Sequence, residues 1–176
     1  MSPSKIVYLM RGLPSSGKSY TARRLVGVAG IVLETDSYFY SEVGENPTRY
    51  DYDAALLPEA RDWNFARYLQ ALQEGHSPIV VDRGNGLSLI SQAYARHAVE
   101  FGYRVVLREP ESPWWAELRA LLKHPESNGP TLELWARRLA RLNRSTHGTS
   151  AGEIRYRMAH WRTGLRIEDI LRYRSE

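Results

Sequence analysis

Residues 12–19 read Gly-Leu-Pro-Ser-Ser-Gly-Lys-Ser, and their types and spacing match G-x-x-x-x-G-K-[ST], a pattern whose chemistry is the binding of phosphate. The glycines let the main chain wrap around an anion with its amides turned inward, and the helix that follows adds its positive N-terminal end. The stretch expected to hold a nucleotide comprises Gly12, Pro14, Ser15, Ser16, Gly17, Lys18, Ser19 and Tyr20. Within it Lys18 would reach the β- and γ-phosphates, and the Ser19 hydroxyl would complete a magnesium shell. Two carboxylates are candidates to join this cradle. Asp36 stands just past an apolar run at 31–33, and Asp82 ends another at 78–81. Phosphoryl transfer needs a group that orients the attacking hydroxyl and takes its proton, and cations that cover the charge of the moving phosphoryl. Asp36 is the candidate for the first task, and Asp82 for holding magnesium directly or through water.

The elements that must position these residues follow from the pattern of apolar runs. Residues 5–10 read as a buried strand, 18–29 as a helix, 31–33 as a second strand and 53–74 as a long amphipathic helix stopped by Gly75. A third strand at 78–81, a helix at 88–100 and a fourth strand at 103–107 follow, and everything beyond Pro110 has helical spacing with a break at 124–130. Strands separated by helices imply βαβ units and a parallel sheet covered on both faces. In such a sheet the residues leaving the carboxyl ends of the strands share one edge. The loop at 37–52 reads as irregular and rich in aromatic residues.

At 176 residues the chain fits one domain, spanning 1–176. Hydrophobic residues make up 43% and charged residues 25%, which excludes disordered and fibrous classes. There is no cysteine, which removes disulfides, zinc ribbons and thiol catalysis. No apolar run is long enough for a signal peptide or a membrane span, so a cytoplasmic location is expected. The net charge is +4, but it is unevenly placed: residues 1–136 carry a net of −2 and residues 137–176 a net of +6, with ten arginines in that last stretch. Forked arginine donors match phosphate oxygens, so the C-terminal excess suits a polyanion as well as a solvated helix face.

The ordered set of motifs resembles the small P-loop kinases of the 5′-polynucleotide kinase type. It comprises Met-Arg-Gly-Leu-Pro-Ser-Ser-Gly-Lys-Ser at 10–19, Thr35-Asp36-Ser37-Tyr38-Phe39, Tyr52-Asp53, Ala60 with Trp63, 79–82 followed by Asn85, Gly102-Tyr103 with Glu109-Pro110, Pro113-Trp114, and 139–148. The resemblance implies an α/β P-loop NTPase fold, with a parallel sheet of four to five strands and a helical, arginine-rich lid at about 131–150. It implies ATP and magnesium as cofactors, Lys18 and Ser19 on the phosphates and the metal, Asp36 as the catalytic carboxylate, and Arg144 as the lid arginine that closes over the donor. Arg138 and Arg141 precede Arg144 at three-residue steps and would share its helical face. His147, beside Gly148, reads as a turn residue.

Two features depart from that family. Where it commonly has Asp-Asn-Thr-Asn after the third strand, this chain has Asp82-Arg83-Gly84-Asn85, and residues 116–134 form an apparent insertion before the lid. On the acceptor side, Tyr38, Phe39 and Arg49 of the aromatic loop, with Arg83 and Asn85, are the candidates for contact with the acceptor. Aromatic faces stack on any base and arginine holds phosphate, a mix suited to a single-stranded end, while for any one ring packing of the loop onto the domain is the commoner role. The expected partner is a nucleic acid accepting phosphate on a 5′-hydroxyl. Alternatives are a hydroxymethylated base in phage DNA, a small molecule such as a nucleotide sugar, or a nucleotide-dependent switch with no catalysis.

Overall fold

Four parallel strands form the centre of the computed structural model, which describes residues 5–42, 48–144 and 148–175. The strands are β1 (Ile6–Met10), β2 (Ile31–Leu33), β3 (Ile79–Val81) and β4 (Arg104–Arg108), in the order β2-β3-β1-β4. Leu9 of β1 and Leu33 of β2 both pair with Val81 of β3. The chain therefore leaves β1, β3 and β2 side by side, and the cradle, Asp82 and the segment 34–36 emerge on one edge.

Alternation along the strands divides the core. Val7, Leu9, Leu33, Ile79 and Val81 face a layer made by α3 (Leu57–Glu74), α4 (Leu89–Glu100) and the short α8 (Ile167–Leu171), where Tyr68, Leu72, Tyr94, Ala98 and Ile170 are buried. Met10 and Val80 face α1 (Lys18–Val26) through Ala22. A third cluster joins Leu13 to α5 (Pro113–Leu121), α6 (Gly129–Asn143) and α7 (Ala151–Ala159), with Trp115, Leu132, Leu139, Ile154 and Met158 at its centre. The apparent insertion at 116–134 is thus a packed part of this helical layer, and the stretch expected as a lid contributes Leu132, Trp135, Ala136 and Leu139 to its core.

The strand readings agree with the structure to within about one residue at each end, as helix and strand boundaries generally do. The stretch at 37–52 differs. It opens with a one-turn helix, α2 (Ser37–Ser41), whose N-terminal cap is Asp36. A run of Ser-Tyr-Phe-Tyr has weak helix propensity, and burial holds it in place: Phe39 is fully buried, Tyr38 nearly so, and both pack with Ala60, Tyr50, Leu56 and Trp63. The long helix also starts later than expected, after a 3-10 turn at Ala54–Leu56 capped by the Asp53 carboxylate, which accepts from the Ala55 amide at 2.8 Å.

Candidate active site

The cradle is built by left-handed backbone at Ser15 and Gly17, with φ of 56° and 94°. Gly12 has no room for a side chain, since a Cβ there would sit 2.5 Å from Ser16 Oγ and 3.1 Å from Lys18 Cγ. From outside, Ser112 Oγ donates to the Ser16 carbonyl at 3.2 Å and the Glu111 amide donates to Thr21 Oγ1 at 3.1 Å. Inside, Ser16 Oγ is buried and has no hydrogen-bond partner among the described residues. The Lys18 ammonium donates to its own loop, to the carbonyls of Leu13 at 2.7 Å and Gly12 at 3.1 Å. A concave loop holding an unpaired hydroxyl and an ammonium bonded only to carbonyls fits the phosphates of a nucleotide.

The charges around Lys18 come from three elements. Burial lowers its pKa to about 8, Asp82 and Asp36 act to raise it, and Arg157 of α7 lowers it further. Asp82 is buried at the end of β3, its amide bonded to the Leu33 carbonyl at 2.9 Å and its carboxylate beside the Ser19 hydroxyl. Burial pushes the Asp82 carboxyl up, against the pull of Ser19 and Lys18. Ser19 and Asp82 thus offer two adjacent oxygen donors, the chemistry that suits a hard divalent cation. Among the described residues no group of three His, Cys, Asp or Glu side chains forms a metal site.

Asp36 caps α2, and its carboxylate accepts a hydrogen bond from the Tyr50 hydroxyl, whose pKa is raised by burial and by the Asp36 charge. Glu34, at the end of β2, completes a trio of carboxylates with Asp36 and Asp82; burial and those two neighbours raise its pKa, while Arg23 of α1 lowers it. Lys18, Ser19, Asp36 and Asp82 are therefore brought together at one edge, as expected from their positions after three strands.

Other expected site residues lie elsewhere. Phe39 is core, and Tyr38 is buried with its hydroxyl donating to Glu59 at 2.7 Å, so neither ring offers a free face. Asn85 is buried, and its amide nitrogen donates to the carbonyls of Met10 at 2.8 Å, Arg83 at 3.2 Å and Val81 at 3.3 Å. It braces the β3–α4 loop onto β1. The Arg83 guanidinium turns away to lie 5.7 Å from the Tyr94 ring centre. Arg49 is exposed and pairs with Asp51 at 2.8 Å. Tyr20 is 65% exposed at the outer surface of α1.

The lid arginines divide in two. Arg141 and Arg144 share a groove of about 630 Å³ with Arg137, Thr149 and Ser150, and no residue of the cradle lines it. Arg138 instead lies 4.9 Å from the Trp135 ring centre. His147 lies outside the described residues. Sequence reasoning missed Arg157, Glu34 and Tyr50 as parts of the site. Glu34 carried a signal, its place at the end of β2, and Tyr50 stood in the aromatic loop. Arg157 carried none beyond the arginine excess of the last forty residues.

A parallel β2-β3-β1-β4 sheet with a phosphate cradle after β1 and carboxylates after β3 and β2 defines a P-loop NTPase of α/β type. Residues 7–148 match the family model described as AAA domain, and the chain belongs to that family. The resemblance to P-loop kinases of the polynucleotide kinase type holds. The chain is 37% identical to human NEDD4-binding protein 2 over 112 residues, which is 62% of this chain and 6% of that protein. It is 29% identical to human YLP motif-containing protein 1 over 99 residues, 45% of this chain and 5% of that protein. The chain thus spans a small part of the relatives it matches. A solved chain from a structure titled "Structure of the Pnkp1/Rnl/Hen1 RNA repair complex" superposes with a TM-score of 0.54 at 13% identity, over 97% of this chain and 44% of that one, a likeness of fold. Among the described residues no helix is long and apolar enough to cross a membrane.

Proposed function

We propose that the chain is an ATP-dependent kinase that transfers the γ-phosphoryl group to a hydroxyl of a nucleic acid, the 5′-hydroxyl of a polynucleotide. The observation that carries the reading is the convergence of Lys18 and Ser19 with two carboxylates, Asp82 and Asp36, from separate strands of one sheet edge. A switch that only binds nucleotide has no need of Asp36 held by Tyr50 beside the lysine of the cradle.

In this mechanism the loop amides and Lys18 hold the β- and γ-phosphates, and Ser19 with Asp82 would hold magnesium, which would supply charge compensation on the phosphate oxygens. The acceptor hydroxyl is oriented by Asp36, whose second contact, Tyr50, fixes the carboxylate. The bond from the acceptor oxygen to the γ-phosphorus forms as the bond from that phosphorus to the β,γ-bridging oxygen breaks. The hydroxyl proton passes to Asp36, and ADP leaves. Arg141 and Arg144, in the groove beside Thr149 and Ser150, are the further cations assigned to the donor phosphates.

The test offers labelled ATP and magnesium to a panel of 5′-hydroxyl DNA and RNA, hydroxymethylated duplex, nucleosides and sugars. Label is expected on the 5′-hydroxyl strands. Label only on a sugar or a modified base would overturn the acceptor assignment. Asp36→Asn is expected to abolish transfer with ADP affinity kept, and an active variant would remove Asp36 from the mechanism.

A further inference from the structure

The sheet ends on one side at β2, which is three residues long, and on the other at β4, which is five. Along β4 the main chain alternates in direction. The Arg104 amide donates to the Lys5 carbonyl at 2.9 Å and the Arg108 carbonyl accepts from the Arg11 amide at 2.7 Å, so Arg104, Val106 and Arg108 face β1. The N–H and C=O groups of Val105 and Leu107 therefore point away from the sheet. Neither residue has a main-chain partner on that side among the described residues. Such a row of unpaired groups is a template for a further strand.

The side chains of β4 divide between two faces. On one, Val105 and Leu107 join the core layer beneath α4 and α8. The other carries Arg104, Val106 and Arg108 beside Tyr8 of β1, and the helix on that side, α1, packs over β2 and β3 instead. Arg104 and Arg108 are exposed with Val106 half-buried between them, and neither arginine forms a salt bridge with any described residue. Past Leu107 the edge opens into a cavity of about 550 Å³ that Arg108, Arg119 and Lys123 help to line. The carboxylates of that cavity are engaged, Glu109 by Arg11 and Arg119, and Glu111 by Arg24. The edge is thus apolar at its centre and cationic at its ends.

We propose that the β4 edge docks an extended acidic segment of a partner protein as an antiparallel fifth strand, with carboxylates four residues apart set against Arg104 and Arg108. The partner's main chain supplies the groups that Val105 and Leu107 lack, and its alternate side chains meet the arginines. Antiparallel strands are common at the edge of an otherwise parallel sheet. A second copy of this chain fits poorly. Pairing β4 with another β4 about Val106 sets Arg104 opposite Arg108 twice, and like charges directly opposite are destabilising. A nucleic acid would meet the arginines but leave the groups of Val105 and Leu107 unpaired.

The experiment titrates the isotope-labelled protein with the capped peptide Gly-Glu-Val-Thr-Val-Glu-Gly to about 1 mM and follows its amides by NMR. The Val105 and Leu107 amides are expected to shift and to gain protection from exchange. With lysine in place of both glutamates the peptide is expected to bind at least about tenfold more weakly. N-methylation of its two valines, which lie opposite Val105 and Leu107, is expected to abolish binding; N-methylation of the threonine, whose amide faces away, leaves it. The double variant Arg104→Glu/Arg108→Glu is expected to prefer the lysine peptide, with ADP affinity kept. Arg104→Gln/Arg108→Gln, which adds no charge, is expected to bind both peptides equally. No binding of the glutamate peptide, equal binding of the lysine peptide, or a preference for glutamate that survives both double variants overturns the proposal. Undiminished binding of the valine-methylated peptide also overturns it, since the edge is then a surface for polyanions such as nucleic acid and pairs no strand.

Discussion

Nucleotide binding should take up a proton, and the lysine of the cradle sets how much. Burial lowers the Lys18 pKa from 10.5 to about 8. In nucleotide-free protein about half of these side chains are then neutral at pH 8 and about nine-tenths at pH 9. A bound polyphosphate favours the ammonium and restores it. Uptake is therefore expected to be about 0.1 proton per ADP at pH 7, about 0.5 at pH 8 and about 0.9 at pH 9. The linked affinity falls about tenfold from pH 7 to pH 9. The assay is calorimetry of ADP binding in EDTA, in pairs of buffers with different ionisation enthalpies; omitting the divalent cation keeps Asp82 from contributing protons of its own. Two variants give the sign. Asp82→Asn removes a charge that holds the ammonium, so the uptake curve moves to lower pH. Arg157→Gln removes a like charge, so it moves to higher pH. Uptake below about 0.1 at both pH 8 and pH 9 would refute the picture of a buried lysine discharged in the nucleotide-free fold.

Other outcomes follow from single contacts. Gly12→Ala places a Cβ 2.5 Å from Ser16 Oγ, so ADP affinity is expected to fall at least about tenfold by calorimetry, as preorganised donors are displaced. Asn85→Ala strips three carbonyls of their shared donor and is expected to cost about 2 kcal/mol, seen as a midpoint lower by roughly 4–8 °C. Phe39→Ala empties a fully buried ring site in the aromatic cluster and is expected to cost about 3–5 kcal/mol in a urea titration. Arg144→Ala is expected to lower turnover by about 10³-fold or more and to leave ADP affinity near that of the unmodified protein.

What was legible in the sequence was whatever depends on neighbours along the chain. The apolar runs gave the strands, the glycines and lysine of 12–19 gave the cradle, and the places of Asp36 and Asp82 after strands gave their meeting at one edge. In the sequence Tyr38 and Phe39 read as acceptor contacts because aromatic residues in a loop look the same whether they stack on a base or pack beneath a helix; Ala60 and Trp63 on α3 decide the matter, and they lie more than twenty residues away. Asn85 and Arg83 read as acceptor contacts for a similar reason. Whether a polar side chain beside a site faces the ligand or a backbone carbonyl depends on the register of β3 against β1.

The least legible feature is the contact that ties the end of β1 to the turn after α7. Arg11 and Arg162 are separated by 151 positions, yet a single hydrogen bond and the Trp161 ring join them. Their meeting leaves no period in the sequence, since one residue follows β1 and the other follows the last turn of α7. It does have an energetic signature. Arg11 is an almost fully buried cation, and such a charge is tolerated only where partners compensate it, here Glu109, a carbonyl and an indole face. Removing Arg11 leaves Glu109 with Trp115 and Arg119 as its remaining contacts and frees residues 160–162 from the loop. Arg11→Met is therefore expected to cost about 3 kcal/mol in a urea titration, since it leaves a half-buried carboxylate short of its cation. A cost below about 1 kcal/mol would show that Trp115 and Arg119 alone compensate Glu109.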